Sequence, residues 1–583
     1  MSQAFLLRSF FGCISFVIVC ILCYNLLKPD RHKEIHQLRR IVPHLSYQRA
    51  IPVQRAVQED AIITMNNEGR VAVGMPMINR SIARLSWENI AETSPQYTEV
   101  KILTNKFVQN MPLKIVIHAR DVNNRPQVTG GDLIYPVIKD AKRSYYQTGA
   151  IHDFDNGSYL VEFQPDWAGS TSLELTLAYP SRFRRAIVRE ESYGYCFTCY
   201  YAKNLKTSAL ANIRAFELRH KASVMAGKPS GRCYFDWKPM PDRRGDNWCT
   251  MDAPEYGNYI SCELPGGGMK CEDSFSCMYD KRMVEMAKSK FLSHKPVSSM
   301  TPLINSISTI TIQPSDVAKS SIPCTEFFSG RNVARKVLGS WMSANQYVPK
   351  CSHSCKTTDD VMRCVTDSHW YFIGDSTVRQ IKSHLHCLAS PQCPKVPDFQ
   401  PHMPSQYFPK CRCTFAFHFF GLPISTSGSI RTFTSAYVPY APEIIDSIVP
   451  SNSVGGDVVV IGSIHHFLVM PFPGFVKRML AIRDALIRLR SRAPKMKIVW
   501  KGSNSRDVTS DFFMNNAKAE FYESVAQEII RDVSSIYILD TWNILLGSPF
   551  GGAGEHKIHY PGSAISEIFR IIAGLVCSKR NLQ

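Results

Sequence analysis

From about residue 368 onward, the chain alternates between apolar strand-like segments and amphipathic helix-like segments. The strand-like segments are WYFIGDS, DVVVIGSIHHF, MKIVWKGS and SIYILDTW, and the helix-like ones include PGFVKRMLAIRDALIRLRSRA and SAISEIFRIIAGLVC. This alternation predicts βαβ units and a C-terminal α/β domain with a mostly parallel sheet. Active sites of such sheets lie at the carboxyl ends of the strands, which here are followed by 374–376, 462–466, 501–504 and 540–543.

Further domains are expected because 583 residues are too many for one hydrophobic core. Residues 95–180 consist of short β-rich runs, such as LKIVIHARD and STSLELTLAYP, separated by turn-like pieces. This repetition predicts a small β-sandwich. The predicted organisation is a signal anchor or signal peptide at 1–30, a stalk at 31–90, the sandwich at 91–190, a cysteine-rich segment at 191–290, a Ser/Thr/Pro linker at 291–323 and the α/β domain at 324–583.

The cysteine-rich segment is interpreted as a loop-rich region held by disulfides. It contains seven cysteines between residues 193 and 280, among them the pair in Cys196-Phe197-Thr198-Cys199. A CxxC pair is also found in redox sites and zinc sites. No second pair follows at zinc spacing and no βαβ pattern surrounds this one, so structural disulfides are the preferred interpretation.

The compartment is predicted from the N-terminus, the cysteines and two sequons. Residues 10–27 form an apolar run just long enough to span a bilayer. No clean small-x-small cleavage site follows it, which favours a signal anchor over a cleaved signal peptide. Basic residues after the run favour a cytosolic body. However, the sixteen cysteines from Cys196 to Cys577 and the sequons at Asn79 and Asn156 indicate an oxidising lumen, in the ER or Golgi, or secretion.

The net charge of +19 at pH 7 favours acidic partners. Because the predicted compartment argues against nucleic acid, acidic sugars or membrane surfaces are the expected partners.

Ser376 is the candidate nucleophile, in residues 371–380, which read YFIGDSTVRQ. A serine between a strand and a helix lies where helix N–H groups stabilise the oxyanion of acyl transfer. Gly374 and Asp375 are assigned to support of this turn or of the oxyanion. The alternative is that Asp375 or Ser376 only caps the helix. A histidine late in the same domain favours the nucleophile.

His559 is the predicted base, with His556 as the second choice, because a histidine exchanges protons near neutral pH. His465 and His466 end another strand, and one of them is expected to donate a hydrogen bond to the oxyanion. A metal site made of these histidines is disfavoured because no carboxylate joins them at a recognisable spacing, so no metal is assigned.

These motifs resemble the PC-esterase domain of the NXPE (neurexophilin and PC-esterase) family, within the GDSL/SGNH group of esterases and acyltransferases. The features that carry the resemblance are GDSTxRQ after an apolar strand, a strand ending in HF, and a terminal loop with a histidine two residues before a proline. The segment LKIVIHARDVNNRPQVTGGD resembles the immunoglobulin-like domain of neurexophilins. The resemblance covers roughly residues 90–577 and implies an immunoglobulin-like β-sandwich followed by an SGNH-like domain.

The resemblance implies a serine acyl-enzyme that transfers or removes acetyl groups on glycan hydroxyls. Ser376 matches the nucleophile, His559 the catalytic histidine and His466 the histidine of a strand end. Where many relatives carry an orienting aspartate, three residues before the catalytic histidine, this chain has His556. Asp540 or Glu555 is the substitute acid, or the site works as a dyad.

Two further residues are assigned near this site. Gly421 is the candidate glycine donor to the oxyanion. Arg379, one helical turn after Ser376, either stabilises negative charge on the substrate or donor, or pairs with an acid for structural reasons.

The sequence therefore predicts a lumenal O-acetyltransferase or O-acetylesterase that acts on glycans or glycoproteins. No bound cofactor is expected, and acetyl-CoA is the expected donor if the protein is a transferase. The alternative is a non-catalytic glycoprotein, secreted or membrane-anchored, that binds a cell-surface protein partner.

Overall fold

The computed structural model describes most of the chain from residue 91 onward. The described residues are 91–184, 195–201, 229–236, 238–279, 301–303, 309–316, 322–330, 336–390, 402–419, 440–451, 456–462, 464–468, 470–506, 516–550 and 558–577, with two short strands at 64–65 and 71–72. The strands are β1 (Thr64–Met65), β2 (Val71–Ala72), β3 (Glu99–Ile102), β4 (Leu113–His118), β5 (Leu133–Asp140), β6 (Tyr145–Thr148), β7 (Ala150–Asp153), β8 (Ser158–Phe163), β9 (Gly169–Tyr179), β10 (Tyr195–Tyr201), β11 (Ser230–Asp236), β12 (Trp248–Ala253), β13 (Asn258–Glu263), β14 (Ser274–Tyr279), β15 (Thr301–Pro302), β16 (Thr309–Ile312), β17 (Gly339–Ser343), β18 (Gln346–Pro349), β19 (Ser368–Gly374), β20 (His402–Phe408), β21 (Cys413–Phe419), β22 (Gly456–Gly462), β23 (Lys497–Lys501) and β24 (Ile536–Leu539).

The helices of the described residues lie mainly in the last third of the chain. They are α1 (Cys324–Phe327), α2 (Thr358–Val365), α3 (Ser376–Ala389), α4 (Ala441–Ser447), α5 (Ile464–Phe467), α6 (Phe472–Arg492), α7 (Asn516–Ile530), α8 (Thr541–Leu546) and α9 (Gly562–Val576). Short 3-10 helices occur at Pro241–Arg243, Pro254–Tyr256 and Cys271–Asp273.

A β-sandwich forms the first part of the structure. One sheet has the order β3-β4-β8-β7, and the other contains β15-β9-β5-β6-β17-β18 with β16 also paired to β9. Alternate residues face the space between the sheets, as Ile115 and Ile117 of β4 and Leu175 of β9 show, each at most 1% exposed. This alternation is the period of two that a half-buried strand requires, and it confirms the predicted β-rich region.

The sandwich extends into the segment interpreted as a linker. Within 291–323, β15 and β16 pair antiparallel with β9. Ile310 and Ile312 of β16 are buried in the sandwich core, whereas Thr309 and Thr311 are exposed. The Ser/Thr content suggested a linker, but the TITI alternation is the signal of an edge strand.

The hairpin of β17 and β18 also joins the sandwich, although the sequence assigned it to the C-terminal domain. Trp341 of β17 pairs with Tyr146 of β6. The Trp341 indole donates to the backbone carbonyl of Ile544 in α8, at 2.7 Å. The hairpin therefore connects the sandwich sheet to the C-terminal domain.

The cysteine-rich segment is a sheet rather than a set of loops. Its five antiparallel strands have the order β12-β13-β11-β10-β14. Cys233 and Cys262 face each other on β11 and β13 and form a disulfide, and a second disulfide joins Cys249 to Cys271. The CxxC pair lies on β10, and buried Cys199 lies against this disulfide, with its sulfur 3.0 Å from that of Cys233. The segment was predicted to be rich in loops, but its aromatic residues favour strands, and the backbones of these strands pair regularly.

The C-terminal domain contains a mixed six-stranded sheet with the order β20-β21-β19-β22-β23-β24. β21, β19, β22, β23 and β24 run parallel, and β20 pairs antiparallel with β21. Helices α3, α6, α7 and α9 bury one face each in two cores on the two sides of the sheet. The prediction of a sheet that alternates with helices is confirmed for this domain.

Disulfides also occur in the C-terminal domain, between Cys324 and Cys351 and between Cys411 and Cys413. Together with the two in the preceding sheet, they indicate an oxidising secretory environment. None of the helices in the described part of the chain is both long enough and apolar enough to cross a membrane. The apolar run at 10–27 and the sequon at Asn79 lie outside the described residues, whereas Asn156 is exposed in a turn.

The place of β16 in the sandwich is testable by truncating its buried side chain. We expect Ile310→Ala to lower the free energy of unfolding by about 2–4 kcal/mol, since it removes buried apolar atoms and leaves a cavity. Thr311→Ala is the matched control, because Thr311 is exposed on the same strand, and it should change stability by no more than about 0.5 kcal/mol. Denaturant unfolding of the purified protein measures both. Equal stability of the two variants would mean that 309–312 is a linker after all.

Candidate active site

In the turn after β19, Asp375 rather than Ser376 caps the helix. Asp375 is the N-cap residue of α3, and its carboxylate accepts hydrogen bonds from the backbone N–H and the hydroxyl of Thr377, at 2.8 and 2.7 Å. Ser376 is the first helical residue. Because Asp375 alone caps the helix, the Ser376 hydroxyl is available for another contact.

Gly374 allows the neighbouring strand ends to lie close together. A Cβ atom at Gly374 would be 2.1 Å from the backbone carbonyl oxygen of Gly462, the last residue of β22. A Cβ atom at Gly462 would in turn be 2.2 Å from the carbonyl oxygen of Lys501 on β23. Only glycine fits at both positions, so the sequence of the two strand ends fixes how closely they pack. Gly374 therefore supports the geometry of the turn.

Ser376 and His559 are brought together from positions 183 residues apart. The His559 Nε2 atom lies 2.7 Å from the Ser376 Oγ atom. His559 is held in the short segment that leads into α9. This is the distance of a hydrogen bond between a hydroxyl and a base, the geometry that a nucleophile and its general base require.

Two contacts clamp the backbone on each side of His559. The Asn504 amide nitrogen donates to the backbone carbonyl of Ile558 at 2.7 Å. The Tyr560 hydroxyl donates to the backbone carbonyl of Ser505 at 3.0 Å, and lies 2.9 Å from the Ser505 hydroxyl. Residues 504–505 after β23 therefore position the histidine from both sides, a role that no sequence motif indicates.

Lys501, the last residue of β23, joins this clamp to the serine turn. Its ammonium donates to the Thr377 hydroxyl at 3.1 Å, to the Gly502 carbonyl at 2.8 Å and to the Asn504 side-chain oxygen at 2.6 Å. The side chain is almost fully buried, and burial lowers its pKa to about 8. The only sequence signal for Lys501 is a basic residue at the end of an apolar strand, at the start of the segment Lys-Gly-Ser-Asn.

Buried Asp375 supplies the negative charge of this site. Burial raises the pKa of the carboxyl, but the interactions with His466 and with the Lys501 ammonium and the hydrogen bond from Thr377 outweigh burial, so the net pKa is below its usual value. Asp375 is therefore an anion beside the serine. Its field also acts on the pKa of His559, raising it.

His559 is exposed as a whole residue, but partial desolvation of its ring lowers its pKa, and the nearby cations Arg379, Arg506 and Lys501 lower it further, against the opposing field of Asp375. The ring is therefore neutral near pH 7 and its Nε2 atom can accept the serine proton. Among the described residues, no carboxylate forms a hydrogen bond with the His559 ring.

The two candidate orienting acids differ in their placement. Asp540 caps α8 and accepts hydrogen bonds from the backbone N–H and the side-chain amide of Asn543, at 3.1 and 2.6 Å. It lies at the end of β24, an edge strand three positions away from β19. Glu555 and His556 lie outside the described residues, as does Gly421.

His465 and His466 occupy α5, directly after β22. The His465 Nε2 atom lies 2.9 Å from the backbone carbonyl of Asn504, so this nitrogen donates, and burial lowers the pKa of the ring to about 3. His465 is therefore a neutral residue that holds the Asn504 segment. His466 lies edge-on to Phe419, with ring centroids 5.3 Å apart, and its interaction with Asp375 lowers the pKa of that carboxyl.

Arg379 lies on the first turn of α3, where its backbone N–H donates to the Asp375 carbonyl. It is half-buried, and its charge reaches His559. The site thus has a serine at a helix N-terminus, a neutral histidine in contact with it, and cations nearby. This arrangement can activate a hydroxyl and stabilise a developing oxyanion.

Comparison with known proteins gives a family for this domain. Residues 346–577 match the family model described as NXPE family member 4-like, C-terminal domain. Among solved structures, the crystal structure of the Lin-41 filamin domain is similar at 14% sequence identity, over 15% of this chain and 81% of that chain, with a TM-score of 0.13.

The lowered pKa of His559 sets the pH dependence of the serine. We expect the rate of reaction with a fluorophosphonate probe to fall as the pH drops, with a midpoint below 6.5, because protonation removes the acceptor lone pair of Nε2. Labelling rates from about pH 4 to about pH 9, a range on both sides of the ordinary pKa of histidine, measure this midpoint. A midpoint above 7 would contradict the predicted direction.

The clamp at Ile558 is testable through Asn504. We expect Asn504→Ala to slow probe labelling by roughly 10- to 100-fold, since displacement of a catalytic group by about 1 Å costs on that order. Asn543→Ala is the matched control: it removes an amide bonded to Asp540 at another strand end and should leave labelling within about 3-fold of wild type. If Asn543→Ala slows labelling and Asn504→Ala does not, Asp540 rather than the Asn504 clamp supports the site.

Proposed function

We propose, on the premise that the match over residues 346–577 makes the C-terminal domain a member of the NXPE family, that this domain is an SGNH-like, serine-dependent O-acetyltransferase or O-acetylesterase that acts on glycans. The observation that carries the proposal is the 2.7 Å contact between Ser376 Oγ and His559 Nε2. A hydroxyl and a neutral imidazole at this distance form the minimal unit of nucleophilic acyl transfer.

In the first half-reaction, the Ser376 hydroxyl attacks the carbonyl carbon of an acetyl ester or thioester. The proton moves from Oγ to Nε2 of His559 as the C–O bond forms. Backbone N–H groups at the start of α3 stabilise the negative oxygen of the tetrahedral intermediate. His559 then gives its proton to the leaving oxygen or sulfur, and the acetyl group remains on Ser376.

In the second half-reaction, a new hydroxyl attacks the acetyl-enzyme. His559 accepts the proton of that hydroxyl and returns it to Ser376 when the acetyl group leaves. A glycan hydroxyl gives transfer, whereas water gives hydrolysis. For transfer, the proposed donor is acetyl-CoA, which acts as a substrate rather than as a bound cofactor.

The charge of Asp375 and the contacts around His559 are consistent with catalysis by a serine–histidine dyad. The imidazolium of His559 that forms in the reaction is stabilised by the negative charge of the Asp375 carboxylate. The clamps at Ile558 and Tyr560 hold the segment that carries His559 from both sides. A site of this kind works without a carboxylate bonded to the ring, although with a smaller rate than a full triad.

The proposed substrate class is an acidic glycan or glycoprotein in the secretory pathway. The net charge of +19 favours negatively charged sugars, and Arg379 at the first turn of α3 adds local positive charge. The proposed location is the ER or Golgi lumen, with residues 10–27 as a membrane anchor, or the extracellular space after cleavage.

A binding function is the second candidate. It is favoured by the described residues around His559, among which no carboxylate is bonded to the ring. In this case the β-sandwich, proposed to be immunoglobulin-like, and the cysteine-rich sheet would bind a cell-surface protein, and the C-terminal domain would be an inactive scaffold.

Acetyl transfer by purified protein separates the two candidates. We expect the wild type to move acetyl groups to or from glycans, and Ser376→Ala to lose at least about 10³-fold of that rate, since the nucleophile itself is removed. Ser383→Ala, on the same helix, is the matched control and should keep the wild-type rate. Mass spectrometry of the glycan product measures each rate.

Two results would contradict the proposal. One is equal rates for Ser376→Ala and wild type. The other is no transfer or hydrolysis by a folded wild-type protein across sialylated, sulfated and neutral glycans with acetyl-CoA, which would favour the binding function.

A further inference from the structure

Three cysteine thiols converge at one corner of the C-terminal domain. Cys355 precedes α2, Cys364 lies in the last turn of α2, and Cys577 caps the end of α9. Their sulfur atoms all lie within 4.8 Å of one another. Cys355 and Cys364 are at most 3% exposed, and Cys577 is half-buried.

None of these three sulfurs is in a disulfide in the described part of the chain. In the same domain, Cys324 and Cys351 are bonded at 2.01 Å. Another three-cysteine group, in the cysteine-rich sheet, contains the disulfide between Cys233 and Cys262. Among the described cysteines, those at the end of α9 and around α2 therefore differ from the others, because their three sulfurs converge without bonding.

A disulfide uses two sulfurs, whereas a metal ion uses three or four. Zinc binds cysteine sulfur at about 2.3 Å in a tetrahedron, which places the sulfurs about 3.8 Å apart. Separations of up to 4.8 Å need a contraction of about 1 Å to reach this geometry. Thiolates are also the ligands that soft divalent cations prefer.

His353, two residues before Cys355, is the candidate for a fourth ligand. The His353 ring is only 8% exposed, and neither of its nitrogens has a hydrogen-bond partner in the described structure. Buried polar nitrogens are rarely left unpaired in native proteins. Ligation of a metal would give one of them a partner.

The His353 side chain packs on α9 on the same side as Cys577. A Cβ atom at Gly574 would be 2.7–2.8 Å from atoms of the His353 side chain, so the ring packs directly on the α9 backbone. Gly574 precedes Cys577 by three residues, which is the same side of the helix. His353 also precedes Cys355 by two residues. The ring nitrogens lie outside the 4.8 Å group, so ligation requires rotation of this side chain.

We propose that Cys355, Cys364, Cys577 and His353 form a structural zinc site. Four protein ligands leave no position open for substrate, which is the property of structural rather than catalytic zinc. The ion fastens the end of α9 to α2 and to the loop before it. Binding releases the thiol protons to solvent, so affinity falls as the pH is lowered.

The test begins with the full-length wild-type protein, purified through a weak chelator, and measures zinc per chain and the disulfide map. We expect one equivalent of zinc, with Cys355, Cys364 and Cys577 outside disulfides. We expect replacement by Co²⁺ to give sulfur-to-cobalt charge-transfer absorption. A disulfide between any two of the three cysteines, with no retained metal, would overturn the proposal without the need for a variant.

Variants then assign the ligands. We expect Cys364→Ser and His353→Ala to lose the bound metal and to show a lower Tm that added zinc no longer raises. The double variant Cys411→Ser with Cys413→Ser is the matched control, since it removes two sulfurs from the same domain, and it should retain one equivalent. Metal retained by Cys364→Ser would contradict the three-thiolate site. Metal retained by His353→Ala alone would contradict its fourth ligand.

Discussion

The buried ammonium of Lys501 connects the two halves of the candidate site. Its hydrogen bonds reach the Thr377 hydroxyl beside the serine turn and the Asn504 side chain that holds the histidine segment. A buried charge is costly unless it is paired and hydrogen-bonded, and here Asp375 and three oxygen acceptors meet that requirement. The contact between Ser376 and His559 therefore depends on a polar network under the site as well as on the two residues themselves.

The network also explains why this edge of the sheet tolerates so many polar groups. Adjacent strands end in Gly374, Gly462 and Lys501, and the two glycines allow close approach of the backbones. The helix that begins at Ser376 directs its N–H groups to the same edge. Parallel pairing places these ends together, and the sandwich hairpin contacts α8, the helix that follows β24. The fold thus collects residues from four separate segments of the chain around one serine.

The sequence predicts the parts of the molecule that rest on local periodicity. The strand–helix alternation, the turn at Gly374-Asp375-Ser376 and the β-rich region have direct signals, and Ser376 and His559 follow from strand ends and a late loop. The edge strand at Thr309–Ile312 is missed because its four residues lie in a Ser/Thr-rich stretch. The roles of Lys501 and Asn504 are missed because they arise from contacts between distant segments, and no local pattern encodes which buried cation will meet which carbonyl. The roles assigned to Glu555 and His556 remain predictions from the sequence, because residues 551–557 lie outside the described structure.

The central claim is that Ser376 carries the acyl group during the reaction. Incubation of the wild-type protein with an acetyl donor, followed by acid quench and peptide mass spectrometry, tests it most directly. The account predicts that the peptide with Ser376 gains the mass of one acetyl group within the first turnover and loses it when a glycan acceptor is added. Product formation at the full rate, with no acetyl group on this peptide at any time after mixing, would contradict the account.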